Sequence, residues 1–334
     1  MTVLVGGCTV ISSSLASIQS LFLNRKIQET EIKEPPLFVV GHWRSGTTLL
    51  HEMLAQDERF GWPSTFECFV PTHFLLSRPV LNPLVKLLMP SKRPMDSMPA
   101  GAEYPQEDEF ALIGLGAPTP YRHIAFCNDE PKYTGLLNLM DTPADQVEQV
   151  RDALTWFYKA QTYQKQKRLL LKSPTHTGRI GHLAKWFANA KFIHITRHPH
   201  KIFPSTVHLW KSLCKVQGYQ YPKDDSKLVQ YVNECYQQMY KGFFAQQEQI
   251  PDSHITHLQF EDLVKDPVGQ LRSVYRDLDL GNFESVRPSV ESFWAQRKSH
   301  RTNRTQLTPE VKEVIDDVWL EYMERFGYNL CPVE

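Results

Sequence analysis

Large apolar residues come along this chain in two rhythms. Leu37 to Val40 (LFVV), Arg168 to Lys172 (RLLLK) and Lys191 to Thr196 (KFIHIT) are short apolar runs, each cut off within two or three residues by glycine or proline. Each predicts a buried β-strand. Phe60 to Ser64 predicts a short second strand ending in a turn at Pro63, and His254 to Phe260 predicts the last clear strand. Between these runs the spacing turns helical: Leu49, Leu50, Met53 and Leu54 share one face, and Asp141-Thr142-Pro143 opens a helix reaching about Gln166. Further helices are predicted over Thr177–Ala188, from Pro199 to about Val216, over Asp224–Gln249, from Asp266-Pro267, and from Thr308-Pro309 until Gly327 ends it. Strands alternating with helices of this length mean an α/β fold with a central parallel sheet flanked by helices.

Residues 68–100 break that alternation with six prolines, which predict short helical pieces around FLL and LVKLL. Phe69 to Met89 is long enough to cross a bilayer, but His73, Arg78, Asn82, Lys86 and three prolines argue against a span. We read 65–163 as a helical insertion into a single 1–334 domain, shaping the site where an acceptor is held. The first 34 residues form a helical segment. Its apolar-leaning part, Cys8 to Leu23, is too short for a span and has no basic residue before it. It is expected to pack on the domain, with peripheral contact to a membrane surface left open.

Composition narrows the function. The chain has 334 residues, 41% hydrophobic, and its 37 lysines and arginines balance its 37 aspartates and glutamates. No nucleic acid partner is called for. The balance is uneven along the chain, because Ala153 to Pro222 contains no acid and twelve lysines and arginines. A block so one-sided points to a polyanion, or to counter-ions elsewhere such as the acids of Glu103 to Glu109. Six scattered cysteines without a C-x-x-C suggest neither a zinc site nor a disulfide scaffold, and fit a reducing cytoplasm.

Three predicted strands end at or just before a cation: Arg44 after LFVV, Lys172 ending RLLLK and Arg197 after KFIHIT. Ligands of open parallel sheets bind at the carboxyl ends of strands, so these three define an anion site. Gly41 and Gly46 stand five apart between the first strand and its helix, the spacing of a phosphate loop. Thr47 occupies the place of the lysine that reaches β- and γ-phosphates in nucleotide triphosphatases, which argues against a P-loop kinase. Arg44 returns a charge inside the loop.

The run Arg44-Ser45-Gly46-Thr47-Thr48 resembles the 5′-phosphosulfate loop of sulfotransferases, whose donor is 3′-phosphoadenosine-5′-phosphosulfate (PAPS). Arg197 with Ser205 eight residues later resembles their 3′-phosphate motif. The resemblance implies a P-loop NTPase-like sulfotransferase fold and transfer of a sulfuryl group to a hydroxyl acceptor without an obligatory metal. A P-loop kinase-like protein, or a PAP-binding protein that has lost its chemistry, is the alternative. The acceptor class is open among small molecules, carbohydrates, lipids and tyrosine.

Glu67, just past the second strand, is similar in place to the catalytic glutamate of Golgi tyrosylprotein sulfotransferases, and Lys172 lies in a similar lysine-x-proline turn. Glu67 is therefore the first expectation for the general base, with Lys172 and Arg44 beside the leaving oxygen. The cytosolic small-molecule enzymes place a histidine two residues after that lysine and a tryptophan after the two threonines, where this chain has Pro174 and Leu49. His176 is the second candidate, and Glu107 and Asp108 are weaker ones. Arg297 and Lys298 resemble in position the basic segment that closes over the 3′-phosphate, but lack its glycine.

Overall fold

Successive residues of the central strands serve opposite cores. Phe38, Val40, Leu169, Leu171 and Phe192 face one apolar layer, while Leu37, Val39, Leu170, Ile193 and Ile195 face the other. Runs apolar on both faces belong to a sheet covered on both sides. The computed structural model describes residues 2–89, 99–297 and 309–329. Its strands are β1 (Leu37–Val40), β2 (Phe60–Gly61), β3 (Arg168–Lys172), β4 (Lys191–Thr196) and β5 (Ile255–Gln259), in the order β2-β3-β1-β4-β5. Every pairing is parallel, with Val39 opposite Lys172 on one side and Ile193 on the other.

Helices form the outer layers. Before β2 come α1 (Thr2–Glu29) and α2 (Thr47–Leu54); between β2 and β3 lie α3 (Thr65–Phe69), α4 (Phe74–Leu88), α5 (Glu109–Gly114), α6 (Arg122–Ala125) and α7 (Ala144–Lys165). They are followed by α8 (Ile180–Trp186), α9 (Pro199–Gln217) and α10 (Asp225–Gln247), then, after β5, by α11 (Phe260–Lys265), α12 (Pro267–Asp277), α13 (Arg287–Arg297), α14 (Pro309–Val318) and α15 (Leu320–Phe326). Leu50 and Met53 of α2 join Leu271 and Val274 of α12 and Val290 of α13 in one layer. Helices α7 and α10 contribute Leu154, Phe157, Met239 and Phe243 to the other.

Several boundaries differ from the sequence reading for visible reasons. Instead of two pieces, α4 is one helix containing Pro79 and Pro83. Both prolines are exposed and stand four apart, so the carbonyls they leave without a donor lie along one solvent-facing strip. The expected strand to Ser64 stops at Gly61, and Ser64 makes only an isolated bridge to Pro105. The helix expected from Thr177 begins as a 3₁₀ turn over Pro174–Arg179. The C-terminal helix is divided at Trp319, whose ring stacks on Tyr236 at 3.6 Å.

Candidate active site

Three backbone positions shape the loop after β1. Gly41 has φ 147° and Gly46 φ 107°, and Arg44, at φ 69°, sits in the left-handed region that side chains rarely adopt. A Cβ on Gly41 would run into the carbonyl oxygen of Ile195, and one on Gly46 into the ring of Phe260. Gly46 caps α2, whose first N–H groups have no intrahelical acceptor, and the Ser45 hydroxyl is buried with no protein partner. Orphaned donors around a glycine turn fit an anionic group. Thr47 is buried in the first turn of α2, with half-buried Thr48 beside it.

The two motifs expected to hold phosphates meet. Arg44 Nε donates to Ser205 Oγ at 2.8 Å, and Arg197 Nη1 donates to the Arg44 carbonyl at 3.1 Å. The Arg197 guanidinium lies 4.3 Å from the ring centre of Phe260, which also closes over Gly46. Burial lowers the Arg197 pKa from its usual value, partly offset by the Glu261 carboxylate. Phe260 carries no motif, and only its position after a strand could have drawn notice.

On the other side of β1, the 3₁₀ turn that follows β3 joins the same loop: the Gly41 N–H donates to Thr177 Oγ1 at 2.7 Å. Lys172 is nearly fully buried and pairs with Glu107 Oε1 at 2.8 Å. The other Glu107 oxygen accepts from Tyr121 Oη, which also accepts from Trp43 Nε1 at 2.9 Å. Burial, then the Glu107 carboxylate, raises the Tyr121 pKa well above normal. Under Lys172, His51 falls to about 3, through burial first and the lysine charge second. Glu107 keeps a 15% exposed side chain.

Glu67 stands elsewhere. Its side chain is 0% exposed; Oε1 accepts from Arg78 and from Lys165 at 2.8 Å, while Oε2 accepts from Lys165 at 2.9 Å and from the Ser64 N–H at 2.8 Å. It is the capping-box residue of α3. Such a carboxylate is committed to ion pairing and to a helix start. His176 is likewise buried, bonded at 3.0 Å to Asp108, which also accepts from Tyr158. Burial pushes the Asp108 carboxyl up, but His176 and Tyr158 together hold it well below the usual range.

Arg297 pairs at 2.6 Å with Glu52, inside α2, and lies 5.3 Å from the Phe293 ring centre, so it stands against the body of that helix. Lys298 lies outside the described residues. The acidic stretch that the sequence offered as a source of counter-ions supplies them: two residues past Glu107, Glu109 forms a fully buried pair with Arg179 at 2.8 Å. The signal was the acid-free block, whose Lys172 and Arg179 had to find counter-ions.

Residues 35–285 match the Sulfotransferase family. The chain is 39% identical over 321 residues to the omega-hydroxy-beta-dihydromenaquinone-9 sulfotransferase Stf3 of Mycobacterium bovis, across 96% of this chain and 82% of the relative; the Mycobacterium tuberculosis protein of that name matches equally. Among solved structures it resembles sulfotransferase STF9 from Mycobacterium avium, with TM-score 0.70 and 18% identity over 94% of this chain and 82% of that one. It also resembles STF1 from M. tuberculosis, with TM-score 0.68 and 17% identity over 92% and 81%. The chain belongs to the sulfotransferase family and is a sulfuryl-transferring enzyme with that family's α/β fold.

Proposed function

We propose that this enzyme takes the sulfuryl group of PAPS to a hydroxyl on an apolar, lipid-type acceptor, with Glu107 as the general base. The observation that carries the proposal is the Lys172–Glu107 pair at the end of β3, beside the loop after β1. Of the four candidate bases, Glu107 alone combines residual exposure with contact to a strand-end cation; Glu67, His176 and Asp108 are enclosed by their own partners. Arg44, Ser45, Gly46, Thr47 and Thr48 would receive the 5′-phosphosulfate, and Arg197 with Ser205 the 3′-phosphate. The acceptor hydroxyl gives its proton to Glu107 as its oxygen bonds to sulfur. The bond from sulfur to the phosphate oxygen breaks, and Lys172 and Arg44 stabilise the charge on the departing oxygen. No step requires a metal ion.

Two observations favour an apolar acceptor. Tyr121, hydrogen-bonded to Glu107, packs against Phe110 at 5.1 Å between ring centres, and Phe110 stacks at 5.3 Å on half-exposed Phe69. The relatives at 39% identity are named for a menaquinone-derived substrate. The test is radiolabelled sulfuryl transfer from PAPS to ω-hydroxylated isoprenoids, with Glu107→Gln and Glu67→Gln compared. Glu107→Gln should lower kcat by roughly 10²–10⁴ with donor affinity unchanged. Glu67→Gln should lower the melting temperature while folded protein keeps its kcat. An active Glu107→Gln beside a folded but inactive Glu67→Gln would return the base to Glu67.

A further inference from the structure

Two neighbouring helices, α1 and α4, each leave a line of large apolar side chains exposed. In α4, His73 at the cap, Ser77 and Asn82 are buried, while Leu76, Val80, Leu84 and Leu87 are exposed, Leu87 by 81%. Positions 76, 80, 84 and 87 repeat at helical spacing and form one stripe. Helix α1 packs against α4 through hydrogen bonds: Ser12 Oγ to His73 at 3.0 Å, Gln19 Nε2 to the Thr72 carbonyl at 2.9 Å, and the Leu76 N–H to Gln19 Oε1 at 3.1 Å. Its outer side shows Ile11, Ile18 and Phe22 in line, flanked by Leu21, which is 79% exposed.

Phe74 of α4 and Ile27 of α1 enter the core, so a second apolar line left outside on each of two adjoining helices marks an apolar environment there. Charge identifies which. Residues 2–24 contain no charged side chain, and the stripe of α1 ends at Arg25, next to Lys26; α4 carries only Arg78 and Lys86. Against these four cations the two helices hold one acid, Glu29, at the end of α1 and paired with Arg25. Glu67, paired with Arg78, and Glu103, paired with Arg78 and Lys86, are the neighbouring acids from outside them. Four cations thus face three acids, in a chain whose total charge is zero, and Arg25 and Lys26 close the uncharged tract of α1. No helix among the described residues is long and apolar enough to cross a membrane.

We infer that the outer faces of α1 and α4 dock this enzyme on the surface of an anionic phospholipid bilayer, the helices lying in the interface with Arg25, Lys26 and Lys86 toward the headgroups. The inference is independent of the donor and base assignments, and its test uses neither donor nor acceptor. The full chain is sedimented with phosphatidylcholine vesicles with and without phosphatidylglycerol. It should pellet with the anionic vesicles, and Val80→Ser/Leu84→Ser/Leu87→Ser should weaken binding by about tenfold or more. Arg25→Glu/Lys86→Glu, which leaves the apolar stripe intact, should remove the preference for phosphatidylglycerol and serves if the first variant fails to fold. Wild-type protein remaining in the supernatant at all lipid concentrations would overturn the inference, as would unchanged binding by both variants. A lipid-free dimer that the triple variant dissociates, without vesicle binding by the wild type, would make a second copy the occupant.

Discussion

Arg44, Arg197 and Ser205 are far apart in the chain and tied together in the fold. The Arg197 guanidinium donates to an uncharged oxygen, the Arg44 carbonyl, from which it can turn to a phosphate. Arg197 is largely buried, and its lowered pKa marks a cation whose water has been removed. A 3′-phosphate would recover that cost. Arg197→Ala should therefore weaken binding of 3′-phosphoadenosine-5′-phosphate (PAP) by one to two orders of magnitude and leave an analogue without the 3′-phosphate nearly unaffected. Calorimetric titration of both ligands checks this; equal weakening would remove Arg197 from the 3′-phosphate. Glu107 and Glu67 teach the complementary lesson. Both follow from sequence as acids near the site, but only the fold shows one bonded to Lys172 and the other closed inside a helix cap.

At the scale of elements, β3 and β4 are found at the residues that their apolar runs predict, and α7, α9 and α10 lie within a few residues of their expected ends. These were legible because period and punctuation agreed. Helix α13 was not anticipated: of its eleven residues only Val290 is fully buried, so no stripe of apolar positions announces it. The unity of α4 was hidden too, since two prolines argue for a break unless they fall on the exposed side. That the 103–109 acids answer the basic block was legible, but which acid meets which cation was not: Glu109, two residues past Glu107, accepts from Arg179, Thr119 and Thr175, with Arg179 also donating to the Leu136 carbonyl. Glu109→Gln leaves the Arg179 charge buried without its counter-ion and should cost about 3–5 kcal/mol of stability in urea unfolding. A loss below about 1 kcal/mol would mean that the pair does not anchor this segment.

Across the whole molecule, an even total charge conceals two complementary tracts: acids at 103–109 and an acid-free basic block from 153 to 222. They meet through Glu107 with Lys172, Asp108 with His176 and Glu109 with Arg179, which fixes the segment after α4 against the end of β3. Arg44 and Arg197, beside the loop after β1, are the cations expected to hold the donor. The central claim is that this loop is built for a 3′-phosphorylated adenosine carrying one 5′-phosphate. The direct measurement is the melting temperature with PAP in the presence of chelator, against magnesium-ATP. At about a hundredfold its dissociation constant a ligand adds roughly 2.7 kcal/mol, enough for a shift of a few degrees. PAP should give that shift and magnesium-ATP none, because Thr47 supplies no lysine for β- and γ-phosphates. A shift with magnesium-ATP and none with PAP would contradict the account.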